Sequence, residues 1–321
     1  MSTWKILPST QVLGRTYSRP LDGNETSFYW DRVFNGTADV VWHYTVQVKG
    51  PRGKDLFHQN HVRRAWISLK QRHPLLGSRL ELRDGTDVVN CIVSEKRLAQ
   101  LFPGEVIFCD ISSAEEVSRL VERTMLKPPV LLAHLPARII ILRLADEPSI
   151  FHVLFHVTHL ITDATSGATI ARTFFELLSL PPVERVPDLE ERLAMVVSSA
   201  DLNPTLQLSK ARQRWRRAAA KVIYSIRQSK LQGGHTVPRK VTSSTYRTPA
   251  IRRSTGCEFT SAESALILEN CRRHKVTLGA AIPVIYKWPS HVSCIVATSV
   301  ARSPRKNGKR GDGSPCIFMD H

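Results

Sequence analysis

From Phe151 the apolar residues fall at every second position, Phe151, Val153, Phe155 and Val157, while His152 and His156 face the other way, which predicts a strand. Beyond Thr165 the spacing lengthens to three and four, with Ala168, Ala171, Phe174, Phe175 and Leu178 sharing one side, which predicts a helix. His159-Leu160-Ile161-Thr162-Asp163 lies between the two. It sets an imidazole and a carboxylate at a strand-to-helix loop, a place that rigid elements hold steady and solvent can reach.

The same periodicities organise the chain on either side. Phe28 to Phe34 is an aromatic cluster, and Asp39 to Val48 alternates as a strand. A helix capped by Asp55 is expected to run to about Arg72, with Leu56, Val62, Trp66 and Leu69 near one face, and to stop before Pro74. Leu80 to Leu82 and Val88 to Val93 form a strand pair around the turn dipeptide Asp84-Gly85. Ser112 or Ser113 caps a helix reaching about Met125, with Glu115 and Glu116 where the helix dipole favours acids. Pro136 opens a strand from Ala137 to Leu144, which Glu147-Pro148 turns back into the strand leading to His159. An antiparallel hairpin is expected there.

Residues 1–180 thus read as one α+β layer of sheet and helices. Pro181-Pro182 and Pro187 mark a boundary. Residues 181–255 read as a basic linker with a long helix from about Thr205 to Lys230. Order resumes over residues 256–288, where Thr260-Ser261-Ala262-Glu263 fits a capping box and Thr277 caps a second helix. Residues 289–321, rich in Pro, Gly and basic side chains, are expected to be disordered.

Charge follows these divisions. Residues 1–180 carry 21 Lys/Arg against 18 Asp/Glu, residues 181–321 carry 24 against 10, and the whole chain is at +17. A nucleic-acid surface would gather such charge on one face with stacking aromatics, yet only Trp215 and Tyr224 interleave with it. No apolar run is long enough for a membrane span, and the N-terminus lacks the apolar stretch of a secretion signal, so a cytoplasmic protein without a membrane partner is expected. The six cysteines show no CxxC spacing, so neither a zinc site nor a disulfide framework is expected.

The candidate chemistry is the pair His159 and Asp163. A histidine is the usual group for taking a proton from a hydroxyl or an amine. On spacing alone, a packed histidine beside an aspartate that caps the following helix is the simpler account, and capping is compatible with either role of the loop. A metal set of His152, His156, His159 and Asp163 is disfavoured because the first two lie on strand-period sequence, and no metal is expected. The chain has no G-x-S-x-G elbow, no phosphate-binding Gly-Lys-Ser/Thr loop and no dinucleotide glycine pattern.

His159-Leu160-Ile161-Thr162-Asp163-Ala164 resembles the HxxxDG motif of the CoA-dependent acyltransferase superfamily, which includes chloramphenicol acetyltransferase, condensation domains and plant and fungal O-acyltransferases. The preceding FHVLFHVTH strand, the following RTFFELL helix and the upstream Arg72-His73-Pro74-Leu75-Leu76 segment agree with it. The flavour is that of fungal condensation-like and trichothecene 3-O-acetyltransferase-like proteins of secondary metabolism. The resemblance covers about residues 28–180, and Cys257 to Tyr286 resembles the beginning of a second lobe.

It implies an α/β fold with a mixed sheet, flanking helices and an incomplete second lobe. It also implies acyl-CoA as co-substrate and a small-molecule acceptor. His159 would be the general base, and Asp163 would support the loop, held by an arginine. Ala164 stands where the motif has glycine, Thr158 stands where many members have a second histidine, and the late DFGWG-like motif is missing. An active acyltransferase is the leading expectation. An inactive fragment that binds a donor or partner is the alternative, and a basic protein binding nucleic acid or another partner is a third.

Overall fold

The computed structural model describes residues 4–8, 14–36, 38–49, 53–126, 134–179, 188–198, 201–202, 205, 208–231, 259–281 and 317–320. They divide into one unit of Met1–Arg214 with Gly308–Asp320 and a second of Trp215–Asn307.

In the first unit the chain begins with β1 (Lys5–Ile6) and β2 (Thr16–Pro20), then α1 (Gly23–Asn35) and β3 (Asp39–Val48). A single turn, α2 (Gly53–Leu56), precedes α3 (Gln59–Arg72), and a 3-10 turn at Pro74–Gly77 leads into β4 (Arg79–Leu82) and β5 (Val89–Ser94). Next come α4 (Glu95–Ala99), β6 (Val106–Ile111), α5 (Ala114–Leu126) and the hairpin β7 (Ala137–Leu144) and β8 (Ile150–Thr158). α6 (Ala164–Ser179) and α7 (Leu189–Met195) follow. α8 (Lys210–Leu231) starts in this unit and continues into the second, which also contains α9 (Ser261–Arg273). β9 (Ile317–Asp320) returns to the first unit.

The architecture is mixed α/β. One sheet has the order β1-β2-β5-β4 and the other β6-β7-β8-β3-β9. In the second sheet β6 runs parallel to β7 and the remaining neighbours are antiparallel. Its two faces are covered by different helices. Phe151, Val153, Phe155 and Val157 of β8, with Tyr44, Val46 and Val48 of β3, pack against Val62, Trp66 and Leu69 of α3 and Ile170, Phe174 and Phe175 of α6. On the opposite face Leu154, Ile140 and Leu142 meet Val117, Leu120 and Val121 of α5. Alternation along β8 thus supplies two cores at once.

Local sequence accounts for most of the boundaries. Asp22 and Glu25 exchange bonds with each other's backbone amides to start α1, and Gly36 ends it at φ 64. Gly85 adopts φ +68 between β4 and β5, a conformation that the Asp84-Gly85 turn requires. The amide and hydroxyl of Ser112 donate to Glu116 at the entry to α5, at 2.9 and 3.0 Å. Thr260 and Glu263 form the expected capping box of α9.

Several expectations change. The aromatic cluster at Phe28 belongs to a helix, α1. The helix expected over Asp55 to Arg72 is two helices, because His58 breaks the first and caps the second by accepting from the Asn60 amide. The long basic helix begins at Lys210 and not near Thr205. The stretch 289–321 was expected to be disordered, but its four described residues, Ile317–Asp320, pair antiparallel with Thr45 to Val48 at the edge of the sheet. The rest of that stretch, the polar segment 239–253 and the continuation of the helix begun by Thr277 lie outside the described residues. Among the described residues no helix is long and apolar enough to cross a membrane.

One polar pair is built into this core. Lys70, wholly buried on α3, places its ammonium 2.7 Å from Glu105 Oε2 and donates to the carbonyls of Arg97 and Gln100. It ties α3 to the segment that enters β6. Replacing Lys70 by Met should cost about 3–5 kcal/mol in urea denaturation, since Glu105 would be left buried without its cation. The double variant Lys70→Met/Glu105→Leu should recover part of that loss. Full recovery is not expected, because the two carbonyls would still lack their donor.

Candidate functional site

β8 ends at Thr158, and its ladder with β3 runs from Ile150 opposite Gln47 to Thr158 opposite Asp39. One further bond extends it: the His159 amide donates to the Ala38 carbonyl at 2.7 Å. Ala38 itself sits at φ 64, a left-handed conformation unusual for a residue with a side chain. The chain then turns, with the Ile161 amide donating to the Thr158 carbonyl at 3.2 Å. Leu160 is buried beside Leu80, Val89 and Cys91 of the first sheet, and Ile161 packs against both that cluster and the main core. The loop is wedged where the two sheets' apolar clusters approach.

His159 is half-buried in this loop. Its Nδ1 lies 2.7 Å from the Thr162 carbonyl oxygen. A carbonyl only accepts, so Nδ1 carries a proton, and in the neutral ring Nε2 keeps the lone pair. The ring also stacks on Phe28 of α1, with centroids 4.5 Å apart and planes 15° from parallel. Phe28 therefore fixes the plane of the imidazole and Thr162 fixes its tautomer. Sequence reasoning noted the Phe28 cluster but assigned it no role, and the capping pair Asp22 and Glu25 is the signal that could have placed it on a helix facing the loop.

Asp163 does what its position before α6 suggested. Its Oδ1 accepts from the Ser166 amide and from the Ser166 hydroxyl, both at 2.7 Å, while the Asp163 amide donates to Ser166 Oγ at 2.8 Å. These donors, the Ser166 amide foremost, hold its carboxyl below the usual 3.8. No arginine among the described residues makes an ion pair with it. Asp163 is exposed and its carboxylate is committed to the helix start, not to the imidazole.

Gly167, one turn into α6, lies so close to β3 that a Cβ there would meet the Trp42 indole at 2.2 Å. Upstream, His73 follows α3 and places Nε2 3.4 Å from the Thr173 hydroxyl of α6, linking the His-Pro-Leu-Leu segment to the helix that follows the motif. Leu75 packs beside Leu160, and Leu76 joins the main core.

The two histidines earlier in β8 face α5 and lie outside this loop. His152 Nδ1 is 2.9 Å from His43 Nε2 and 3.2 Å from the Thr45 hydroxyl. His156 is fully buried, and its Nδ1 accepts from Arg138 Nε at 3.0 Å. Its proton is therefore on Nε2, which faces Asp39 Oδ2 at 3.5 Å, while Asp39 Oδ1 contacts Arg32 Nε at 3.3 Å. Burial is the main force pushing the His156 pKa below 6.5; the nearby Asp39 carboxylate opposes it and the charge of Arg138 adds to it. Among the described residues, no three His, Cys, Asp or Glu side chains gather as a metal site. A groove of about 400 Å³ near β5 and α4, lined by Arg79, Lys96, Arg97 and Phe102 among others, does not include His159.

No protein-family model matches the chain, and no curated protein matches it. Among solved structures it is similar to a trichothecene 15-O-acetyltransferase from Fusarium sporotrichioides, with TM-score 0.45 and 14% identity over 57% of this chain and 40% of that one. It is also similar to the condensation domain from Monacolin K polyketide synthase, with TM-score 0.42 and 12% identity over 85% of this chain and 57% of the other. A four-domain nonribosomal peptide synthetase gives TM-score 0.43 and 15% identity over 64% of this chain and 14% of its own. The chain spans less than two thirds of the length of each.

Two outcomes follow from the loop and its surroundings. Asp163→Ala should lower stability by about 1 kcal/mol through loss of the helix cap. The folded pKa of Asp163 is depressed, so its contribution is present above pH 3.8 and disappears as pH falls through the lower folded value. Denaturation of parent and variant should therefore differ most at pH 7, and the difference should shrink as pH falls below 3.8. His156 also has a depressed folded pKa. The unfolded chain takes up its proton first, so stability is full above pH 6.5 and declines below it. His156→Gln should flatten the urea midpoint profile between pH 7 and 5, and an unchanged slope would assign the decline to other groups.

Proposed function

We propose that this chain carries the base-bearing lobe of an acyltransferase and that His159 Nε2 accepts the proton of an attacking hydroxyl or amine. The bond from Nδ1–H to the Thr162 carbonyl is the observation that carries the reading, because it leaves the lone pair on the other nitrogen. In the reaction proposed, the acceptor's oxygen or nitrogen forms a bond to the carbonyl carbon of an acyl-CoA thioester as His159 takes its proton. The C–S bond then breaks, and the thiolate leaves with that proton from the imidazolium. The products are the acylated acceptor and free CoA, with no net change at His159.

Asp163 serves this reaction as a positioning residue. It holds the first turn of α6, and that turn holds Thr162, whose carbonyl orients the base. Phe28 supports the ring from one side. The co-substrate is assigned as an acyl-CoA and the acceptor as a small molecule through the motif and its flanking segments.

The test is acyl transfer from acetyl-CoA to a panel of alcohols and amines, followed by thiol release. His159→Ala should lower the rate by about 10²–10⁴-fold, the usual contribution of a positioned general base. Calorimetric titration with acetyl-CoA runs alongside. Binding retained without turnover in the variant supports the assignment of His159 as base, whereas binding without turnover in both proteins points to a non-catalytic binding module. Equal turnover in parent and variant would overturn the role of His159.

A further inference from the structure

We propose that α8 is an interfacial helix that lays its apolar face on an anionic lipid surface. The helix spans 22 residues and carries eight Lys/Arg and no Asp/Glu. At a period of 3.6, Trp215, Ala219, Val222 and Ile226 fall within an arc of about 60°, and Lys210, Arg214, Arg217 and Lys221 fall within a similar arc roughly 140° away. Among the described residues this side is mostly exposed, with Ala219 partly covered. Trp215 is 74% exposed, Val222 59% and Ile226 49%. Ile223, at the margin of this arc, is also exposed, whereas exposed Tyr224 lies on the opposite side of the helix. A single exposed apolar residue needs no explanation, but a stripe of this length on one face marks a surface that meets something.

Charge selects what it meets. The segments 232–258 and 282–316 carry 11 Lys/Arg against 2 Asp/Glu, so their charge does not complement that of α8. The occupant must be anionic on a broad scale and able to take apolar side chains at the same time. A nucleic-acid duplex meets the first need and not the second, since phosphates would engage the basic side and leave Trp215, Val222 and Ile226 in water. A lipid surface meets both: acyl chains receive the apolar stripe, headgroups receive the cations, and an indole is suited to the boundary. The expectation of no membrane partner rested on the absence of a spanning run. A helix lying in the interface needs none.

The full chain should be sedimented with vesicles of phosphatidylcholine alone and with vesicles containing 30% phosphatidylserine, in 0.1 M salt. Binding is expected on the serine-containing vesicles and should weaken as salt rises. Trp215→Ser/Ile226→Ser should reduce it by roughly tenfold or more, and Arg214→Glu/Arg217→Glu by a similar factor. These side chains are exposed, so the far-UV circular dichroism of the variants should match that of the parent. Equal binding to both vesicle types, binding to neither, or indifference to Trp215→Ser/Ile226→Ser would overturn the proposal. Tighter binding to duplex DNA at the same salt, unchanged by the apolar substitutions, would assign the charge to nucleic acid instead.

Discussion

The antiparallel pairing of β3 with β8 is the constraint on which the rest of the first unit depends. Its register decides that Phe151, Val153, Phe155 and Val157 enter the core with α3 and α6, and that His152, Leu154 and His156 face α5. A slip of one residue would exchange the two sets and bury histidines where aromatic rings now pack. The same register brings the end of β8 beside Ala38, whose carbonyl takes the His159 amide as the ladder's last bond. The start of the loop is thus fixed by pairing laid down along nine residues of β8.

That register also separates histidines that look alike in sequence. His156 and His159 are three residues apart, yet their surroundings impose opposite tautomers. Arg138 Nε–H can only donate, so it claims the lone pair of His156 Nδ1; the Thr162 carbonyl can only accept, so it claims the proton of His159 Nδ1. His156 ends as a sealed structural ring among Arg138, Asp39 and Arg32. His159, just past the end of the central strand β8, keeps in its neutral form a lone pair on Nε2 of a half-buried ring. The difference comes from one donor and one acceptor, not from the histidines themselves.

How much of this could be read from the sequence depends on how local each cause is. Alternation over Asp39 to Val48 gave the limits of β3, and alternation from Phe151 gave β8 and its hairpin partner, because a half-buried strand states its period in adjacent residues. Asp163 was legible as a cap for the same reason, its partner Ser166 being three residues away. α1 was missed because the mass of Phe28, Tyr29, Trp30 and Phe34 hides the helical spacing. β6 was missed because six residues of Val106–Ile111 carry too short a pattern. The pairs Lys70 with Glu105, His43 with His152 and Phe28 with His159 lie far apart in sequence, and only the folded topology brings them together.

The loop also shows why an imidazole and a carboxylate four residues apart do not make a relay. For Asp163 to polarise the ring, its oxygen would have to replace the Thr162 carbonyl at Nδ1. It would then release the Ser166 amide and leave the Ser166 hydroxyl with only the Asp163 carbonyl and the Thr162 hydroxyl. Gly167 limits any adjustment of that turn, since the helix backbone already lies against the Trp42 indole. The carboxylate therefore acts on the ring only through the helix it caps. The ring is held by a carbonyl of its own loop, a phenyl face from α1 and a backbone bond to Ala38. All three belong to the fold itself, so what it supplies at His159 is a fixed direction for the lone pair of the neutral ring.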